Sequence, residues 1–82
     1  MFEIRELRYL LSIDEFRHFG RASQAVGVSQ PALTKSLQRI ERILGATLFE
    51  RSRARVVPTA IGKEVLARAR RLVDDAIELQ RM

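Results

Sequence analysis

A chain of 82 residues, 46% of them hydrophobic and 30% charged, can form one small domain with a thin core and is too apolar for a disordered tail. It contains no cysteine, which excludes disulfide frameworks, zinc–thiolate sites and cysteine nucleophiles, and no apolar run approaches the length of a membrane span. The formal net charge of +5 is concentrated in mid-chain: residues 29–44 hold three bases against one acid, and residues 45–59 hold three arginines against one Glu. That distribution predicts a surface facing a polyanion.

The amino terminus has acids among its first residues and no long apolar stretch, so it does not read as a secretion signal, and a cytoplasmic location is expected. Over residues 4–16, Ile4, Leu7, Leu10, Leu11, Ile13 and Phe16 recur at helical spacing and predict an amphipathic helix. Phe19 and Gly20 are expected to interrupt it. A short second helix follows over residues 21–26, with Ala22, Ala25 and Val26 facing inward and Gly27 ending it.

Ser29 is then an expected N-cap, and Pro31 is tolerated in the first turn, where N–H groups have no intrahelical acceptor to lose. The third helix should run from about 30 to 44 and stop at Gly45. Successive residues turn by about 100°. This puts Leu33, Leu37, Ile40, Ile43 and Leu44 on one arc, and Gln30, Thr34, Lys35, Gln38 and Arg42 on the opposite one. Short amides and a hydroxyl flanked by cations differ from the Glu/Lys mixture of an ordinary solvated face. Two helices joined by a glycine turn, the second carrying such a face, make a helix-turn-helix.

TLFERS and RVVPT read as two short strands of a wing around residues 51–55, and Pro58 confines the second to an edge. Thr59 caps a last helix that runs to the end of the chain. Its stripe of Val65, Ala69, Leu72, Ala76 and Leu79, widened by Ile61, Leu66, Val73 and Ile77, reads as a dimerisation seam: part of it is expected to pack on the domain, and the distal part beyond about Leu72 to meet a second copy. The fold class is therefore mainly α: a three-helix winged helix-turn-helix with a two-stranded wing over residues 1–58, and a dimerisation helix over 59–82.

No catalytic or metal constellation is legible, and neither enzymatic activity nor a cofactor is expected. His18 is the single histidine, Asp74 and Asp75 point different ways around their helix, and there is no glycine-rich phosphate loop. The residue types fit double-stranded DNA instead. Gln can pair with adenine, Lys with guanine, and a Thr methyl with thymine, so Gln30, Thr34, Lys35 and Gln38 suit a major groove. Arg53 and Arg55 suit a neighbouring minor groove. Arg51 reads equally as a phosphate clamp or a strand-end charge, Arg39 as a solvated flank, and Pro31 as a rigid helix start or a base contact. A basic protein-interaction module without DNA preference is the competing reading; membrane-surface binding is weaker, since the last helix has nearly balanced charge and no tryptophan.

The stretch LRYLLSIDEFRHFGRASQAVGVSQPALTKSLQRIERILGATLFERS, followed by VVPTAIG, resembles the winged helix-turn-helix domain of LysR-type transcriptional regulators from Leu7 to Gly62, and more loosely along the last helix. The resemblance implies that Ser29, Gln30, Pro31, Ala32, Thr34, Lys35 and Gln38 lie on or beside the DNA-contacting surface, with Arg53 as the wing contact. It also implies an antiparallel homodimer through the last helix on an inverted-repeat operator. Any small-molecule effector would act through an effector domain that this stretch does not contain, so an excised DNA-binding domain is expected. Two positions depart from the family pattern. Gly20 stands where Thr or Ser is usual and lacks a hydroxyl for a phosphate, and Ile61 stands where a small residue is usual.

Overall fold

A computed structural model describes residues 1–52 and 55–82. It contains α1 (Ile4–Phe16), α2 (Phe19–Val26), α3 (Gln30–Leu44), β1 (Phe49–Arg51), β2 (Val56–Pro58) and α4 (Ala60–Gln80). Leu10 and Ile13 of α1, Leu33, Leu37 and Ile40 of α3, and Leu48 before β1 form the fully buried centre. Leu66, Ala69 and Val73 of α4 close the core from the other side of α1.

Each helix begins and ends for a local reason. In α1, a reciprocal capping box joins Glu3 and Glu6, and Arg17 closes the helix in the left-handed region at φ 53°. Only two residues separate α1 from α2, because the Arg17 turn delivers His18 as the α2 N-cap: its Nδ1 accepts from the backbone N–H of Arg21 at 3.0 Å. The break therefore falls at Arg17 and His18, and Phe19 and Gly20, expected to interrupt the first helix, begin the second. The Ser12 hydroxyl donates to the Ala22 carbonyl at 3.0 Å and ties the two helices where Ala22 is small enough for close approach. Ala25, expected inside, is exposed, while Val26 is half-buried.

Gly27, at φ 74°, makes the turn into α3. Ser29 caps α3 by accepting from Ala32 N–H at 3.2 Å, with Pro31 in the first turn, and Gly45 ends it. Ile43 and Leu44, assigned above to the apolar arc, are 47% and 41% exposed: the core takes Leu33, Leu37 and Ile40 of that arc and leaves these two at its edge. The antiparallel wing pairs Phe49 with Pro58, Glu50 with Val57 and Arg51 with Val56, so Pro58 does lie on an edge strand.

Thr59 joins the wing to α4 through its backbone and its hydroxyl. Its N–H donates to the Leu48 carbonyl at 2.9 Å, its hydroxyl donates to the Thr47 carbonyl at 2.7 Å, and that hydroxyl accepts from Gly62 N–H at 2.9 Å. The first turn of α4 consequently runs hard against β1: a Cβ on Gly62 would sit 2.0 Å from the Leu48 carbonyl oxygen.

The long stripe of α4 divides into two parallel rows. Leu66, Ala69 and Val73 are buried within this chain and Ile77 is half-buried against the same core, so these four do not form a free seam. A second row turns outward: Ile61, Leu72 and Leu79 are 44%, 49% and 69% exposed, whereas half-buried Val65 packs against the core and half-buried Ala76 lies beside Ile4 and Arg8 of α1. The sequence pattern merges these rows because they are adjacent on the helix cylinder.

Candidate nucleic-acid interface

Capping and packing together aim one face of α3 outward. With Leu33, Leu37 and Ile40 anchored in the core, Gln30, Pro31, Ala32, Lys35 and Gln38 are exposed and Thr34 is half-buried. The Ser29 hydroxyl is committed to the cap, so its part at this face is to fix the helix start. Gln30 lies beside the beginning of α2: its Oε1 is 3.6 Å from where a Cβ on Gly20 would be, so the two helices of the motif present adjacent surfaces. The structure thus gathers the sequence-assigned recognition residues onto one accessible strip.

That strip is basic and free of competing carboxylates. Lys35 and Arg42 form no ion pair among the described residues. The one acid of α3, Glu41, turns instead towards the wing, where its Oε2 accepts from Leu48 N–H at 2.7 Å. A long cation beside amides and a methyl-bearing hydroxyl is a donor and acceptor set that can discriminate base edges, whereas phosphates require only cations and N–H groups.

The wing supplies further cations. Arg51 places its guanidinium 4.5 Å from the Phe19 ring centroid, a stacking arrangement that holds the start of the wing against the first turn of α2. Arg51 remains exposed while its guanidinium sits over Phe19. Arg55 is exposed, and its carbonyl accepts from Ser52 N–H at 2.9 Å across the loop. Arg53, the expected minor-groove contact, lies outside the described residues.

Three supporting residues escaped the sequence reading. His18 acts as a cap, Phe19 supports Arg51, and Glu6 receives the flank of α3. The Glu6 carboxylate is buried and accepts from Glu3 N–H at 2.9 Å, from the Ser36 hydroxyl at 3.0 Å and from Arg39 Nη1 at 2.5 Å. Burial pushes its pKa up, but the Glu3 N–H, the Arg39 guanidinium and the Ser36 hydroxyl outweigh that and hold it below the usual carboxylate range. Its only signal in the sequence was the position three residues after Glu3, which suits a capping box but says nothing of α3.

This architecture, four helices with a two-stranded antiparallel wing and a solvent-facing third helix, defines a winged helix-turn-helix domain of the DNA-binding type. The family described as bacterial regulatory helix-turn-helix protein, lysR family, matches residues 4–63, and the chain belongs to that family. Over 74 residues it is 46% identical to the SDS degradation transcriptional activation protein of a Pseudomonas strain, covering 90% of this chain and 24% of that protein. It is 51% identical over 71 residues to the small neutral protease regulatory protein of Streptomyces coelicolor, covering 87% of this chain and 22% of that one. The chain thus spans about a quarter of the length of these relatives. Among solved structures it superposes on the CbnR DNA-binding domain in complex with DNA with a TM-score of 0.91 at 34% identity, covering 98% of this chain and 92% of that one. On the BenM DNA-binding domain bound to catB site 1 DNA the TM-score is 0.94 at 30% identity, covering 99% and 90%. Among the described residues no helix is long and apolar enough to cross a membrane.

Proposed function

We propose that this chain is the operator-reading part of a transcriptional regulator, acting on double-stranded DNA through α3 in the major groove and the wing in the adjacent minor groove. The observation that carries the reading is the carboxylate-free outer strip of α3. Gln30, Thr34, Lys35 and Gln38 read base edges, Ala32 offers a methyl to a thymine, and Pro31 stiffens the start while its exposed ring lies at the same surface. Arg51, Arg53 and Arg55 hold the backbone and the minor groove, with Arg51 already oriented by Phe19. The work of the chain is recognition and regulation rather than catalysis, in the cytoplasm and without a cofactor.

Two copies join through α4. The exposed Ile61, Leu72 and Leu79, flanked by half-buried Val65 and Ala76, supply an apolar strip that a two-fold partner covers, while Leu66, Ala69, Val73 and Ile77 stiffen the same helix from inside. Residues 1–58 then form the reading head and residues 59–82 the dimerising helix of one packed unit. Two-fold symmetry places two recognition helices on one face of the duplex, which requires an inverted repeat. A small-molecule effector, where the regulator uses one, is bound by parts of the protein other than these residues.

The test is selection of bound duplexes from a random pool, followed by anisotropy titration of the winners and of scrambled duplexes at two salt concentrations. Enrichment of an inverted repeat with a specificity ratio that survives added salt is the expected result. Salt-sensitive binding with no enriched sequence would withdraw the base-reading roles and leave a basic interaction module.

A further inference from the structure

Arg39 occupies an unusual position for a cation on a recognition helix. It lies one helical turn beyond Lys35, on the flank of the exposed strip, and its side chain is 44% exposed. Both of its terminal nitrogens are nevertheless engaged by the chain itself: Nη1 meets the buried Glu6 carboxylate at 2.5 Å and Nη2 donates to the carbonyl of the exposed Met1 at 2.8 Å. Lys35 and Arg42, on the same helix, have no such partners among the described residues. Glu6 is the one charged side chain buried among the described residues, and it would keep its Ser36 and Glu3 bonds if Arg39 left.

We propose that Glu6 sets the affinity and salt dependence of binding by sequestering Arg39: by pairing this guanidinium, it keeps a sequence-blind phosphate contact off the edge of the recognition face. Phosphate contacts carry affinity but no sequence information, so each one removed from the edge of a reading helix lowers binding to every duplex alike and leaves discrimination to the base-facing residues. A half-buried pair is screened by salt far less than a surface pair. Sequestration therefore persists across the range of ionic strength in which the phosphate contacts of the wing are being weakened. The inference rests on the DNA-binding reading above.

The measurement is the slope of log affinity against log salt for the 82-residue chain on a scrambled duplex. Glu6→Gln removes the negative charge that holds Arg39 while its one carbonyl oxygen still accepts from Glu3 N–H and its amide NH2 donates to the Ser36 oxygen; with Arg39 freed, one added phosphate contact steepens the slope by about 0.9, an extra loss of about 3.5-fold over a fourfold rise in salt. Arg39→Gln leaves the wild-type slope unchanged, and the double variant returns Glu6→Gln to that slope. Glu15→Gln, an exposed change of the same net charge on α1, controls for charge alone. A Glu6→Gln slope equal to wild type, or matched by Glu15→Gln, overturns the proposal. So does a flatter slope for Arg39→Gln alone, which would mean that Arg39 already touches phosphate; that single variant decides the matter if Glu6→Gln does not fold. A wild-type chain that binds no duplex at all would sink the DNA reading itself and this inference with it, whereas wild-type binding with unmoved slopes would sink this inference only.

Discussion

Gly62→Ala should be the most damaging single-methyl change in the domain. The added Cβ would lie 2.0 Å from the Leu48 carbonyl oxygen and 2.9 Å from its carbon, so α4 and the start of β1 would have to part by at least about 1 Å. That movement pulls on the Thr59 hydroxyl, which caps α4 through Gly62 N–H and holds the Thr47 carbonyl. Overpacking costs up to about 3 kcal/mol when the obstacle is backbone that cannot rotate away. Losing the cap costs about 1 kcal/mol, which cancels the gain of about 1 kcal/mol from replacing glycine inside a helix. The net of about 3 kcal/mol is a large share of the roughly 4–12 kcal/mol available to a domain of this size. For such a domain it lowers Tm by roughly 12–24 °C. Thermal melts followed by far-UV circular dichroism, at one fixed protein concentration because dimerisation shifts Tm by mass action, give the answer. Gly27→Ala is the comparison: at φ 74° with no neighbouring atom in the way, it suffers only backbone strain of about 1–2 kcal/mol. A Gly62→Ala protein that melts within a few degrees of wild type, or above Gly27→Ala, would refute the steric reasoning.

Leu72→Glu should leave the monomer fold intact, because Leu72 is 49% exposed, and shift the chain towards monomer in sedimentation equilibrium; Val73→Glu should instead unfold it, since Val73 is 4% exposed. Lys35→Ala should relax base preference at one position of the selected site by about 1–3 kcal/mol, read as the ratio of selected to scrambled affinity, and equal losses on both duplexes would remove its base-reading role. Acid should weaken the domain through Glu6. Its native pKa lies below its unfolded value, so its contribution is fully present above the ordinary Glu range near 4.3 and is lost as pH falls through the lower native value. Urea midpoints from pH 7 to pH 3 should therefore fall less steeply for Glu6→Gln than for wild type. Phe19→Leu should keep the core but free Arg51, weakening DNA binding a few-fold with little change in the selected sequence.

Local rules were enough for much of this protein. Ser29, Pro31 and Gly45 delimit α3, Thr59 starts α4 and Pro58 marks an edge strand, because caps and φ restrictions act over a few residues and are written in adjacent letters. The outward strip of Gln30, Lys35 and Gln38 was legible for the same reason: helical periodicity is local. The motif VSQPALTKSLQRIE added the family. Where one helix meets another, the sequence was silent. That α4 spends Leu66, Ala69 and Val73 on its own core while turning Leu72 and Leu79 outward, that Ile43 and Leu44 are left at the edge of the core, and that Arg39 is held by a carboxylate 33 positions earlier all depend on which surfaces come together in space. His18 lies between these cases, since a histidine can cap a helix but rarely advertises it, and only the left-handed turn at Arg17 brings its ring to the right N–H. Amphipathic periodicity says that a face must be covered; relative helix placement, a property of the assembled core, decides what covers it.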